Sequence, residues 1–189
     1  MRHKYETRAI VLARAHAGEA TTFVTLLTPE LGLVYARAQS LRKPGAKLAA
    51  SLATLTESDV VLVRGKEGWR IAGAVLEDNW FTKLAKAPMR ERAGRVSSLL
   101  LRLVAGEERD SQIFIITKGF LGALATLPED MHEAAEILAV LRMLATLGLD
   151  TGEIPGEMSC FDTALLVGVL ENRTGYIARI NTGIVASGL

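Results

Sequence analysis

The chain has 189 residues, of which 49% are hydrophobic and 23% are charged. This size suits one large domain or two small ones, and the composition argues against an intrinsically disordered chain. The single cysteine, Cys160, excludes a disulfide framework within the monomer and a cysteine-rich zinc site. The formal net charge of +1 identifies no polyanionic partner by itself.

The first part of the chain contains five short runs of strand-forming residues, at 5–15, 19–28, 32–38, 59–64 and 69–75. Pro29 and Gly32 mark a turn after the second run, because Pro fixes one φ and Gly is free to take a positive one. An irregular basic loop over 39–47 follows the third run, and the hairpin Gly65-Lys66-Glu67-Gly68 joins the last two. This order predicts a five-stranded OB-fold β-barrel in residues 1–79.

The hydrophobic period changes after Trp80 and indicates helix, with an interruption at Pro88. Further helices are predicted at 89–104, 112–125, 128–148, 163–171 and 175–186. Ser111 and Asp162 are placed to cap two of them, and Gly148 to end a third. We therefore predict an all-α helical domain over 80–189 and a two-domain α+β fold for the chain.

The two halves of the chain differ in the sign of their charge. Residues 1–80 carry 11 basic and 8 acidic side chains, a net charge of +3, whereas residues 81–189 carry 11 and 13, a net charge of −2. Such an asymmetry hints at different partners for the two halves.

The sequence predicts no membrane association. The two most apolar stretches, 113–127 and 134–149, contain charged side chains and are shorter than the roughly 20 residues that cross a bilayer. The first six residues lack the apolar segment of a secretory signal. We therefore expect a soluble, cytoplasmic protein.

No catalytic motif is evident in the sequence. The histidines His3, His16 and His132 have no metal-binding spacing, and no GxSxG, P-loop or GxGxxG motif is present. Cys160 could be a nucleophile, but a buried thiol is the favoured interpretation. We therefore predict a protein that is not an enzyme, with no catalytic residue, small-molecule substrate, metal or cofactor.

The basic residues of the first half lie at predicted barrel loops, which border the groove where an OB fold holds a single strand. Cations near phosphates displace condensed counterions, which favours DNA binding. Solvated loops without a ligand also carry basic residues, and the sequence favours neither interpretation over the other. Tyr35 shares a strand face with Arg37 and could stack on a base, but a core position is favoured for it. The candidate DNA-binding residues are Arg14, Tyr35, Arg37, Arg42, Lys43, Lys47, Arg64 and Lys66.

A second set of cations lies on the predicted helix after Pro88. Arg92, Arg95 and Arg102 fall close to one face of that helix. The favoured interpretation is a solvated face. The alternatives are a phosphate-contacting stripe and the rim of a site for an acidic peptide.

The strand region carries an ordered set of short motifs. They are YETRAIVL at 5–12, Gly18-Glu19, TLLTPELGL at 25–33, the small and basic loop at 38–47, and LVRGK at 62–66. This set resembles the start of the RecO family of recombination mediators. The ending, IARIN at 177–181 followed by Ala186-Ser187, resembles the terminal helix of that family.

The resemblance implies an OB domain followed by a helical domain, in a cytoplasmic, nucleoid-associated protein. It implies binding to single- and double-stranded DNA, annealing of complementary strands, and work with RecR to load RecA onto DNA coated by single-strand-binding protein (SSB). It also implies a pocket for the acidic SSB tail, which ends in an apolar residue. The cations that the helical domain could place near such a pocket are Arg92, Arg95, Arg102, Lys118 and Arg142.

The sequence departs from the family in one region. Many members carry a four-cysteine zinc module, whereas residues 150–159 form a short loop here, followed by Cys160 alone. We therefore predict no zinc. Two other hypotheses stay open: an OB-fold interaction adaptor with little or no DNA binding, and a hydrolase whose titratable groups come together only in the fold.

Overall fold

The computed structural model describes residues 4–17, 21–39, 48–104, 106–107 and 111–189. The strands are β1 (Lys4–Ala17), β2 (Thr21–Thr28), β3 (Gly32–Gln39), β4 (Thr56–Gly65) and β5 (Gly68–Asn79). The helices are α1 (Trp80–Lys83), α2 (Ala87–Leu103), α3 (Ser111–Thr126), α4 (His132–Thr146), α5 (Thr163–Glu171) and α6 (Arg173–Ala186), with a 3-10 turn at Glu129–Met131.

The chain divides into two compact units. The barrel unit contains the described residues up to Lys83, together with Gly106, Glu107 and the start of α3. The helical unit contains 84–104 and 115–189. The return of a short segment to the barrel unit after α2 was not apparent from the sequence, where 106–110 resembled a polar break.

The five strands close into a barrel in the order β1-β2-β3-β5-β4. All pairings are antiparallel except that between β3 and β5, which joins Ala36 to Trp69 and Arg37 to Arg70 in parallel. Apolar side chains fill the interior, among them Val24, Leu26 and Leu62. A closed five-stranded barrel followed by helices confirms the predicted fold class.

The turn between β2 and β3 shows how local chemistry sets the register. Gly32 has a φ of 66°, which only glycine adopts at little cost. The Thr28 hydroxyl accepts a hydrogen bond from the Leu31 N–H and donates one to the Gly32 carbonyl, each at 3.1 Å. The positive φ predicted at Gly32 is confirmed.

Helix α4 is the centre of the helical unit. It packs against α2, α5 and α6, and its side chains Leu138, Leu141 and Leu144 are fully buried. None of the helices in the described part of the chain combines the length and apolarity needed to cross a bilayer.

The helix boundaries test the predicted caps. The Asp162 carboxylate accepts a hydrogen bond from the Leu165 N–H at 2.8 Å, which confirms the cap of α5. Gly148 has a φ of 71° just after α4, as predicted. Pro88 does not interrupt a helix: it lies in the first turn of α2, where its missing N–H and fixed φ are tolerated. The last helix begins at Arg173 rather than Gly175.

Arg142 of α4 is fully buried and holds the loop that precedes α5. Its guanidinium donates hydrogen bonds to the carbonyls of Pro155, Met158 and Cys160, at 2.8, 3.2 and 2.7 Å. It also lies 4.8 Å from the ring centroid of Phe161. Burial lowers the pKa of this guanidinium. Three carbonyls and an aromatic ring therefore surround one desolvated cation.

We expect Arg142→Met to lower the free energy of unfolding by about 3 kcal/mol, because three carbonyl oxygens lose a charged donor. Urea unfolding followed by circular dichroism measures this change. Arg173→Met is the control, since its ion pair with Glu133 is half-exposed and should contribute less than about 1 kcal/mol. Equal losses in the two variants would contradict the structural role of Arg142.

Candidate nucleic-acid interface

The outer face of the barrel carries a row of aromatic and basic side chains. Phe23 on β2 is paired with Arg37 on β3, and Arg37 is paired with Arg70 on β5. Directly paired residues point to the same face of a sheet, so these side chains stand side by side. Tyr35 lies two residues before Arg37 on the same face. Phe23 is 45% exposed and Tyr35 is 54% exposed.

The alternation of inward and outward side chains along β3 explains why Tyr35 is exposed. Val34 and Ala36 are fully buried in the barrel, so Tyr35 and Arg37 must face outwards. The core position favoured for Tyr35 from the sequence is therefore wrong. Two exposed aromatic rings beside two arginines can provide base stacking and phosphate contacts within one row.

A groove of about 780 Å³ lies at the β4–β5 hairpin, next to this row. Its basic side chains are Arg37, Arg64, Lys66 and Arg70. Its acidic side chain, Glu67, lies 3.3 Å from Arg37 and is 81% exposed. An ion pair this exposed is weak, so the groove is electropositive.

The structure gathers four of the predicted residues, Tyr35, Arg37, Arg64 and Lys66, around the row and the groove. Arg14 is paired with the buried Val24, and its Nε atom is buried without a hydrogen bond to any described residue. The predicted residues Arg42, Lys43 and Lys47 lie outside the described part of the chain.

Phe23 and Arg70 were missed from the sequence. Both join the row only through their pairings with Arg37. The alternation along β2 could have indicated that Phe23 faces outwards. The parallel pairing that brings Arg70 beside Arg37 left no signal in the sequence.

Arg64 belongs to a second set of contacts beside the groove. The Glu107 carboxylate accepts hydrogen bonds from Arg64 Nη1, at 2.7 Å to Oε2, and from Trp69 Nε1, at 2.8 Å to Oε1. Arg64 also lies 4.8 Å from the Trp69 ring centroid, and Tyr5 meets that ring edge-on at 5.1 Å. Burial opposes ionisation of Glu107, but the hydrogen bonds from Arg64 and Trp69 prevail and lower its pKa.

The helical unit contains an apolar groove of about 340 Å³ between helices α2, α4 and α6. Its apolar lining consists of Leu99, Ile137, Val140, Ile180 and Ile184. Arg92 and Arg95 line the same groove, and both are paired with Glu136. The hydrogen bond with Glu136 raises the pKa of the Arg95 guanidinium.

The other cations proposed for the helical domain lie elsewhere. Arg142 is buried beneath the loop before α5, so it cannot meet a surface peptide. Arg102 is exposed and Lys118 is half-buried, and neither lines the apolar groove. The sequence thus identified two arginines that share one groove, although it could not locate that groove.

Cys160 is half-buried rather than buried, and its thiol donates a hydrogen bond to the Asp162 carboxylate at 3.0 Å. Over the described residues, no three His, Cys, Asp or Glu side chains converge as a metal site requires.

Residues 1–78 match the family model described as Recombination protein O N terminal. The chain is also similar to proteins named DNA repair protein RecO. One from Dehalococcoides mccartyi strain BAV1 is 42% identical over 72 residues, which cover 38% of this chain and 28% of the relative. One from a second strain of that species is 31% identical over 112 residues, with coverage of 59% and 44%.

A relative from Heliobacterium modesticaldum is 29% identical over 157 residues, which cover 79% of this chain and 56% of the relative. The matched segments therefore span between 28% and 56% of the length of these relatives. The family model lies over the barrel unit, which also contains the row of aromatic and basic side chains.

Glu107 is expected to stabilise the protein only while it is ionised. Because its pKa is lowered on folding, its contribution is present above the ordinary value of 4.5 and disappears as the pH falls through the folded value. We expect Glu107→Gln to lower the free energy of unfolding at neutral pH but not at an acidic pH at which Glu107 is protonated in the folded protein. Urea unfolding at both pH values measures the difference.

Glu67→Gln is the matched control, because it removes an equal charge from a carboxylate that is 81% exposed. It should change stability little at either pH. A loss in Glu107→Gln that stays the same in acid would show that packing, rather than ionisation, is the cause.

Proposed function

We propose that this chain, a member of the RecO family, binds single-stranded DNA through its barrel and acts as an adaptor in DNA repair. In this proposal it anneals complementary strands and works with RecR to load RecA onto SSB-coated DNA. It performs no covalent chemistry. The name of its relatives, DNA repair protein RecO, supports the repair role.

The observation that carries this proposal is the row Phe23–Arg37–Arg70 with Tyr35 beside it. Base stacking on an aromatic side chain contributes about 1–3 kcal/mol per base and tolerates any sequence. The arginines of the row and Lys66 at the hairpin supply phosphate contacts. A single strand that crosses β2, β3 and β5 would meet both kinds of contact.

The charge of the barrel limits the expected affinity. Two of the arginines that line the groove, Arg37 and Arg64, are already paired with Glu67 and Glu107. An incoming phosphate must compete with these carboxylates, so binding should be modest and should weaken steeply with salt.

Separate variants can distinguish stacking from phosphate contacts. Replacing Arg37 and Arg70 with Ala should weaken binding to oligo(dT) and reduce the salt slope by about 1.4, because two phosphate contacts are lost. Replacing Phe23 and Tyr35 with Ala should weaken binding about tenfold or more at every salt concentration, with an unchanged slope. Fluorescence anisotropy of a labelled oligonucleotide across a salt series measures both effects.

Arg8→Ala is the matched control within the barrel. Arg8 is half-exposed on β1 and faces Glu57 and Asp59 rather than the groove. Equal weakening by Arg8→Ala would show a general charge effect and remove the assignment of the row. Wild-type protein that fails to bind DNA even at low salt would favour the alternative, a barrel adaptor without DNA binding.

We propose further that the apolar groove of the helical unit takes the acidic, apolar-ended tail of SSB. Arg95 is 56% exposed in its side chain, whereas Glu136 is only 17% exposed. An acidic peptide can therefore approach Arg95 from the solvent side while Glu136 remains beneath it. The lining by Ile137, Val140 and Ile184 suits an apolar terminal side chain.

Charge reversal tests this groove. Arg95→Glu should weaken binding of a labelled SSB-tail peptide at least about tenfold, since attraction becomes repulsion. Isothermal titration or anisotropy measures the affinity. Lys86→Glu is the control, because Lys86 is exposed in the same unit, pairs with Glu129 and does not line the groove. A peptide that binds Arg95→Glu as tightly as wild type would contradict this location.

A further inference from the structure

Arg64 lies between two depressions of the barrel unit. On one side it lines the basic groove with Arg37, Lys66 and Arg70. On the other it lines a hollow of about 290 Å³ with Tyr5, Leu31, Trp69 and Glu107. Its side chain is 49% exposed, so it is accessible to solvent at this boundary.

The donors that meet Glu107 would suit a phosphate as well as a carboxylate. Nη1 of Arg64 donates to both oxygens of Glu107, and the Trp69 indole N–H donates to one of them. A guanidinium pairs with a phosphate as readily as with a carboxylate, because both present anionic oxygens to its N–H groups. The carboxylate thus occupies the position that an oxygen pair of a phosphodiester would take.

We propose that Arg64 and the Trp69 indole N–H form a phosphate-binding subsite that Glu107 fills in the free protein and vacates for a DNA phosphate. This inference rests on the proposed function, because it assigns a further contact to the same bound strand. It makes Glu107 an internal competitor that lowers DNA affinity.

The burial of Trp69 explains why Glu107 leaves the subsite only when a DNA phosphate enters it. Trp69 is only 7% exposed, so its indole N–H is costly to leave without an acceptor. Glu107 is therefore retained until another anion takes its place. Its own side chain is 42% exposed, so after displacement the carboxylate can turn into solvent.

The backbone near Glu107 can stay in place during this exchange. The preceding residue, Gly106, accepts a hydrogen bond from the Leu33 N–H through its carbonyl, at 3.2 Å. Gly106 has a φ of 85°, a backbone conformation that glycine adopts at little cost. In the proposed exchange, the Glu107 side chain rotates while the hydrogen bond between Leu33 and Gly106 is kept.

The test is Glu107→Gln in the full chain. The Gln carbonyl can still accept from Arg64 and Trp69, but it no longer neutralises the guanidinium. We expect affinity for oligo(dT) of about 12 nucleotides to rise about threefold to tenfold, with an unchanged salt slope because Arg64 meets a phosphate in both proteins. Anisotropy titrations across a salt series measure both. In an Arg64→Gln background the gain from Glu107→Gln should disappear.

Glu67→Gln is the matched control, since it removes an equal charge from the same groove and releases Arg37 instead. Any gain that it produces should survive Arg64→Gln. If Glu107→Gln leaves the affinity unchanged while the Arg37 and Arg70 double variant still weakens binding, the subsite is overturned and the proposed function stands. If wild type and Glu107→Gln both fail to bind at low salt, the proposed function fails first.

A second measurement uses the wild-type protein and does not depend on Glu107→Gln. In wild-type protein, the Trp69 indole N–H resonance should shift on addition of oligo(dT), because its acceptor changes from carboxylate to phosphate. The Trp80 indole, on α1, serves as the internal reference. Saturation with oligo(dT) that leaves the Trp69 resonance unmoved would overturn the exchange.

Discussion

The short parallel contact between β3 and β5 is the constraint on which the rest of the barrel unit depends. It consists of two residue pairs, Ala36 with Trp69 and Arg37 with Arg70, and it closes the barrel. Because side chains alternate along a strand, the closure turns Trp69 inwards and Arg70 outwards. The inward residue completes the core and meets Glu107. The outward residue completes the row that begins at Phe23 and Arg37.

This dependence explains which features could be predicted from the sequence. The alternating runs, the hairpin at 65–68, the glycine turn at Gly32 and the Asp162 cap are local, and local chemistry sets them. The two-domain α+β fold followed from that local pattern and from the change of period after Trp80. The positions of the cations Arg37, Arg64 and Lys66 could be predicted because these residues flank recognisable turns.

The features that escaped prediction depend on contacts between distant residues. Arg70 becomes part of the row only through its parallel pairing, and Glu107 joins the barrel from 38 residues beyond its partner Trp69. A core position was favoured for Tyr35 from the sequence, although Tyr35 was kept among the candidate DNA-binding residues. The phase of its strand decides otherwise, since both of its neighbours, Val34 and Ala36, are buried.

The partners of the arginines distinguish a structural role from the proposed binding roles. Arg142 is fully buried and bound to three neutral carbonyls, so no ligand can reach it without unfolding the loop. Arg64 and Arg95 use the same guanidinium chemistry, but each is about half-exposed and held by a carboxylate. A carboxylate orients the guanidinium in advance and can be exchanged for another anion.

The same principle applies in both units. Arg64 is paired with Glu107 in the barrel, and Arg95 with Glu136 in the helical groove. The pairing reduces the charge available to attract a distant polyanion, which agrees with a chain of net charge +1. At the two proposed sites, binding would then depend on whether the incoming anion also gains a stacked base or a buried apolar side chain. Such sites would gain selectivity from the second contact, because charge alone only replaces one anion with another.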